Sequence, residues 1–191
     1  MITNFNQLDL SKSYTYKDYL SWNFPERVEL ILGKIFKMSP APSRYHQRVS
    51  TNLMYFYNNF LWKSTSCELF AAPFDVVLKK GKKSTVVQPD ICVVCDQSKL
   101  TKQGCEGAPD LIVEILSPGN SRREMKEKFE LYEKNGVQEY WMVDLGNKSV
   151  VVYRFNEEQK YFGSKPFVEG EVVESKILKG LKMDVADVFR E

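Results

Sequence analysis

Residues 108–144 read APDLIVEILSPGNSRREMKEKFELYEKNGVQEYWMVD, and the patterns inside this stretch decide the fold. Asp110–Leu116 has Leu111, Val113 and Ile115 on one face and Ile112 and Leu116 on the other. A strand that is apolar on both faces is a central, covered one. The SPGN breaker then leads into Arg122–Asn135, a helix signposted by Ser121 as N-cap, Glu124 at N3 and Gly136 past its end. Glu139–Asp144 returns to strand and forms a hairpin with Ser149–Phe155 around Gly146-Asn147.

Working outward, Thr15 to Asp18 forms a capping box that opens a short helix to about Trp22. Arg27–Met38 reads as two strands joined at Gly33-Lys34. Beyond SPAPS, apolar residues at Val49, Leu53, Phe56, Tyr57 and Phe60 predict a helix with one buried stripe. Phe74–Leu78 and Thr85–Cys95 read as strands around a KKGKK turn built on Gly81, and a loop with Gly104 and Gly107 follows. The tail to Glu191 reads as one more hairpin and a short terminal turn. The fold class expected is α/β or α+β, a central mixed sheet flanked by helices with additional hairpins.

A length of 191 residues with no repeat, linker or low-complexity tract predicts one domain over 1–191. Hydrophobic residues at 43% and charged residues at 27% exclude disorder, collagen and coiled coil as overall descriptions. A net charge of +2 carries no argument for nucleic acid or membrane, so such an argument must come from local patches. Four cysteines are no disulfide framework in a chain of this length. Cys92 and Cys95 in one strand face opposite ways and cannot share a zinc ion. MITNFNQLDL lacks the pattern of a signal peptide, and no apolar run is long enough to span a bilayer. A reduced, cytoplasmic protein without a membrane partner is expected.

The informative residues are charges where the pattern demands apolar side chains. Glu114 sits between Ile112 and Leu116 in the covered strand, and an isolated buried carboxylate costs several kcal/mol. Asp90 presents the same anomaly in TVVQPDICVV. Two carboxylates on adjacent buried strands repel unless a cation lies between them, and oxygen-only ligands suit Mg²⁺ or Mn²⁺. On the following helix, Lys128 falls inside the arc formed by Leu131, Tyr132, Met125 and Phe129, while Arg122, Arg123, Lys126 and Lys134 fall outside it. Each anomaly has a plainer alternative: a structural ion pair for Glu114, a strand-edge turn for Asp90, snorkelling for Lys128. Glu29 fits a solvent-facing glutamate as well as a site residue. His46, on the stripe with Val49 and Leu53, reads as a core histidine rather than a catalytic one. Asp110 reads as a strand-entry residue, and Asp75 is a spare candidate.

Pro89-Asp90, Glu114-Ile115-Leu116 and a following lysine together resemble the PD-(D/E)xK superfamily of restriction-endonuclease-like nucleases. More narrowly, ELILGKIFKMSPAPSRYHQ, APFDVVLKKG, VVQPDICVV, GLKMDVADVF and above all the stretch 108–144 resemble the Uma-type family of restriction-endonuclease-like proteins. This chain departs from the superfamily pattern at Leu116, which stands where the motif lysine usually does; Lys128 stands where a lysine migrated to the next helix would be.

The resemblance implies a restriction-endonuclease-like core and a metal-dependent endonuclease that hydrolyses nucleic-acid phosphodiester bonds, with DNA preferred over RNA. It implies Asp90 and Glu114 as ligands of Mg²⁺ or Mn²⁺, Lys128 in the lysine role and Glu29 completing the site, and it leaves room for a homodimer. The alternative is an inactive nucleic-acid-binding or interaction module that keeps the fold. Lys79, Lys80, Lys82 and Lys83 around Gly81 are the densest basic cluster and the candidate phosphate path, with a solvated turn as the competing reading.

Overall fold

The computed structural model describes residues 2–191 except 24, 39–40, 64–65, 82 and 118–121, and of residues 122–124 it describes only the backbone. The short helix α1 (Tyr16–Tyr19) carries the expected capping box, with Thr15 and Asp18 exchanging side-chain and backbone hydrogen bonds. It ends at Leu20, short of Trp22. The strands β1 (Val28–Ile31) and β2 (Lys34–Lys37) pair antiparallel. Leu32 and Gly33, both at positive φ, make the turn one residue earlier than expected, in the geometry that matches strand twist. Helix α2 (Arg44–Leu61) buries His46, Val49, Leu53, Tyr57 and Leu61 along one stripe.

Then come β3 (Glu68–Ala71), β4 (Asp75–Lys79), β5 (Thr85–Val87), β6 (Ile91–Val94), β7 (Gly104–Glu106) and β8 (Leu111–Leu116). Helix α3 (Arg122–Asn135) has the expected bounds, although Ser121 and the side chain of Glu124, on which its cap was read, lie outside the described residues. The chain continues through β9 (Glu139–Asp144), β10 (Ser149–Phe155), β11 (Tyr161–Gly163), β12 (Val172–Glu174), β13 (Lys182–Asp184) and the terminal turn α4 (Val185–Val188).

Among the described residues the strands form a five-stranded sheet in the order β2-β1-β5-β4-β7, a six-stranded sheet in the order β11-β10-β9-β8-β6-β3, and the β12–β13 pair. In the six-stranded sheet β8 is central, parallel to β9 and antiparallel to β6. One of its faces, with Leu111, Val113 and Ile115, packs under α2 and the C-terminal tail. The other, with Ile112, packs against Leu131 and Tyr132 of α3 and against Val76 and Val87 of the five-stranded sheet.

Three expectations are corrected. Thr85–Cys95 is two strands in two different sheets: Pro89 has no N–H to donate, and at Gln88-Pro89-Asp90 the chain leaves the smaller sheet for the larger. The loop before Asp110 contains β7, which runs parallel to β4; Gly104 sits at φ 151°, and a Cβ there would meet the Asp75 carbonyl at 2.1 Å. The cysteines are not all reduced, because the cross-strand neighbours Cys67 and Cys95 are disulfide-bonded while Cys92 and Cys105 are free and buried. Among the described residues no helix is long and apolar enough to cross a membrane.

Candidate active site

The break at Pro89 sets Asp90 at the mouth of β6. The β6–β8 register puts Ile91 opposite Val113 and, continued by one residue, Asp90 opposite Glu114. Directly opposed residues of an antiparallel pair share a face at a Cβ separation of about 4.5–5.5 Å. The Ile115 N–H donates to Asp90 Oδ2 at 2.7 Å, and His46 Nε2 lies 3.4 Å from the same oxygen.

Lys128 arrives from α3 on the side the helical arc indicates. Its Nζ lies 2.9 Å from Glu114 Oε1 and 3.4 Å from Glu29 Oε1. The Tyr132 hydroxyl, one turn further along α3 and fully buried, donates to the same Glu114 Oε1 at 2.5 Å. Glu29 is buried in β1, not solvent-facing, and its Oε1 also accepts the Gln88 N–H at 3.0 Å. Three carboxylates from β1, the β5–β6 junction and β8 therefore meet one ammonium and one histidine.

Burial pushes the Glu114 carboxyl up to about 7; Lys128 opposes the shift, while the Asp90 and Glu29 charges add to it. For Lys128, burial acts downward, but the charges of Glu114 and Glu29 outweigh it and hold the ammonium above its ordinary range. For His46, burial again acts downward, and the contact with Asp90 reverses it, so its imidazole is also raised.

Glu139 shows what a structural buried carboxylate looks like in this protein. It is 0% exposed, its Oε1 accepts from Trp141 Nε1 at 2.7 Å, and its Oε2 accepts from Arg154 Nε at 2.7 Å and Lys176 N–H at 2.9 Å. Both oxygens are used. At Glu114 and Asp90 only one oxygen each has a partner among the described residues. Two opposed carboxylates, each with an unpartnered oxygen and with more negative than positive charge around them, fit a small hard dication. Among the described residues no three His, Cys, Asp or Glu side chains form a ready-made metal cage. Mg²⁺ does not need one, since it is commonly held by one or two carboxylates, with waters and substrate phosphates completing its shell.

Asp90, Glu114, Lys128 and Glu29 are thus brought together, and His46 joins them. Tyr132 was legible only as part of an apolar stripe, and its hydroxyl gives no periodic signal. Asp75 lies outside the cluster, accepting from Tyr19 Oη at 2.9 Å and Gln88 Nε2 at 2.8 Å. Asp110 is a strand-entry residue, its carboxylate accepting the Cys95 N–H at 2.7 Å. The lysine turn is not brought to the carboxylates. It sits beside the β1–β2 turn, where Gly33 N–H bonds Ser84, and Asp90 follows at the far end of β5, about 16 Å away at strand pitch. Lys80 is paired with Glu106 at 2.5 Å, Lys79 and Lys83 have no ion-pair partner among the described residues, and Lys82 lies outside them.

Comparison with known proteins bears on the fold and the family. A crystal structure of a "putative nuclease belonging to DUF820" from Anabaena variabilis ATCC 29413 superposes with a TM-score of 0.72, covering 92% of this chain and 97% of that one at 23% identity. That likeness is one of fold, and it is the mixed α+β, restriction-endonuclease-like architecture. An uncharacterized protein of Synechocystis sp. is 27% identical over 145 residues, 74% of each chain. Residues 16–186 match the Uma2 family, described as "Putative restriction endonuclease", and the chain belongs to that family.

Proposed function

We propose that this cluster hydrolyses phosphodiester bonds in nucleic acid, DNA in preference to RNA, as the site of a Mg²⁺- or Mn²⁺-dependent endonuclease. The observation that carries the reading is that each of the opposed carboxylates Asp90 and Glu114 has one oxygen without a partner among the described residues, set against Glu139, both of whose oxygens are used. Asp90 and Glu114 would hold the ion, which when bound acidifies a water and neutralises phosphate charge.

The remaining steps belong to the chain. Lys128 stays protonated between Glu114 and Glu29, so it orients the attacking water and stabilises developing negative charge instead of removing a proton. Tyr132 fixes Glu114 through Oε1 and leaves the other oxygen for the ion. His46 and the Ile115 N–H hold Asp90 in the same way.

The test is cleavage of plasmid DNA, single-stranded DNA and RNA with Mg²⁺, with Mn²⁺ and in EDTA, by the native protein and by Asp90→Asn and Glu114→Gln checked for folding. Metal-dependent cleavage that both variants lose supports the assignment. Cleavage that persists in EDTA, or in both variants, contradicts it. Binding without cleavage under any condition would favour the inactive binding module.

A further inference from the structure

Beside the carboxylate cluster, an edge strand carries an aromatic ring that belongs to none of the core clusters of the described residues. Phe36 stands directly opposite Glu29 in the β1–β2 register, so the two side chains share a face. It is 38% exposed on an edge strand and belongs to none of the core clusters, whereas its neighbour Ile35 packs with Leu30 on the opposite face. Tyr55, Trp62 and Phe162 are more exposed, but they lie on α2, at its C-cap and on β11, none of which contributes a carboxylate to the cluster.

Arg27 lies at the same end of this hairpin, its carbonyl accepting the Met38 N–H at 3.0 Å. Its guanidinium is already oriented, with Nε and Nη2 donating to Gln88 Oε1 at 3.2 and 3.0 Å. Among the described residues it pairs with no carboxylate, so its charge is uncompensated. The residue that orients it, Gln88, also donates its backbone N–H to Glu29.

We propose that Phe36 and Arg27 form a nucleotide subsite beside the carboxylate cluster, in which a base stacks on Phe36 and its phosphate is held by Arg27. The substrate strand is therefore single-stranded or locally unpaired where it enters, because a base inside a duplex has no free face to offer. Stacking on an aromatic side chain is tolerant of sequence, and Arg-phosphate contact is salt-sensitive. This rests on the nuclease reading above and names the form of its substrate.

The test is fluorescence anisotropy in EDTA with a labelled oligo(dT) and a blunt duplex of the same length. The native protein should bind the single strand more tightly. Phe36→Ala should weaken that binding by about 5–150-fold with little effect on the duplex, Phe36→Trp should preserve it, and Phe36→Leu should not restore it. Arg27→Gln should flatten the slope of log K against log salt by about 0.7 for one lost single-strand phosphate contact.

Thermal melts establish that each variant is folded. Equal binding by the native protein and Phe36→Ala, or full binding by Phe36→Leu, overturns the subsite, as does a native protein that binds neither ligand. The two ideas fail separately. Phe36-dependent binding without any cleavage overturns the nuclease reading and leaves the subsite standing; metal-dependent cleavage unaltered in Phe36→Ala does the reverse.

Discussion

Lys128 Nζ and Glu114 Oε1 are 2.9 Å apart, and the same ammonium reaches Glu29 at 3.4 Å. Glu114 belongs to the six-stranded sheet and Glu29 to the five-stranded one, so a single lysine on α3 ties both sheets together at the candidate site. Removing one partner of a buried ion pair typically costs about 3–5 kcal/mol, because the other charge is left uncompensated. Lys128→Met should therefore destabilise by about that much in urea denaturation. The double variant Lys128→Met/Glu114→Gln should be more stable than the sum of the two single effects predicts. Effects that simply add would mean that the pair is not coupled.

Tyr132→Phe removes a hydroxyl that donates to a buried carboxylate and leaves the ring in place. Hydrogen bonds to charged groups contribute about 1.5–3 kcal/mol, so a loss in this range is expected. Mn²⁺ affinity, read by calorimetry, should fall as well, since Glu114 loses the contact that fixes it. An unchanged affinity would make Tyr132 a packing residue.

The raised Glu114 carboxyl gives a pH signature with a definite sign. In the folded protein its proton is held up to about 7, whereas in the unfolded chain it is lost near the ordinary glutamate value of about 4.3. Its contribution to stability is thus fully present below about pH 4 and lost as pH rises through about 7. Glu114→Gln should gain stability relative to the native protein between pH 5 and 8 in metal-free buffer. A difference that is flat with pH would contradict the shift.

Glu139 provides the control. Glu139→Gln disturbs a carboxylate whose oxygens are both committed to Trp141, Arg154 and Lys176. It should destabilise the fold, yet the Mn²⁺-induced rise in Tm should match that of the native protein. In Asp90→Asn the Mn²⁺ shift should vanish, since an ion stabilises only the state that binds it.

Much of this site was legible because burial conflicts with charge. Glu114 in a strand apolar on both faces and Lys128 inside a helical arc are visible from periodicity alone, and Gly136 past the end of α3 and the turn of the β9–β10 hairpin mark where these elements stop. The short strands β3, β7 and β11 offer no such signal, because three or four residues hold too little alternation and their pairing is set by distant partners. The sheet change at Pro89 was hidden by the apolar run on both sides of it. The Cys67–Cys95 pairing depends on the register of β3 against β6, which local patterns do not encode. Glu29 alternates as a solvent-facing residue would; only the arrival of α3 over β1 makes it part of a buried cluster.

The most direct measurement is anomalous diffraction from a crystal soaked in Mn²⁺. The account predicts a peak between Asp90 and Glu114, with one oxygen of each at about 2.1 Å, the remaining positions filled by water, and Lys128 still on Glu114 Oε1. Mn²⁺ bound elsewhere, with the Asp90 and Glu114 carboxylates unligated, would contradict it.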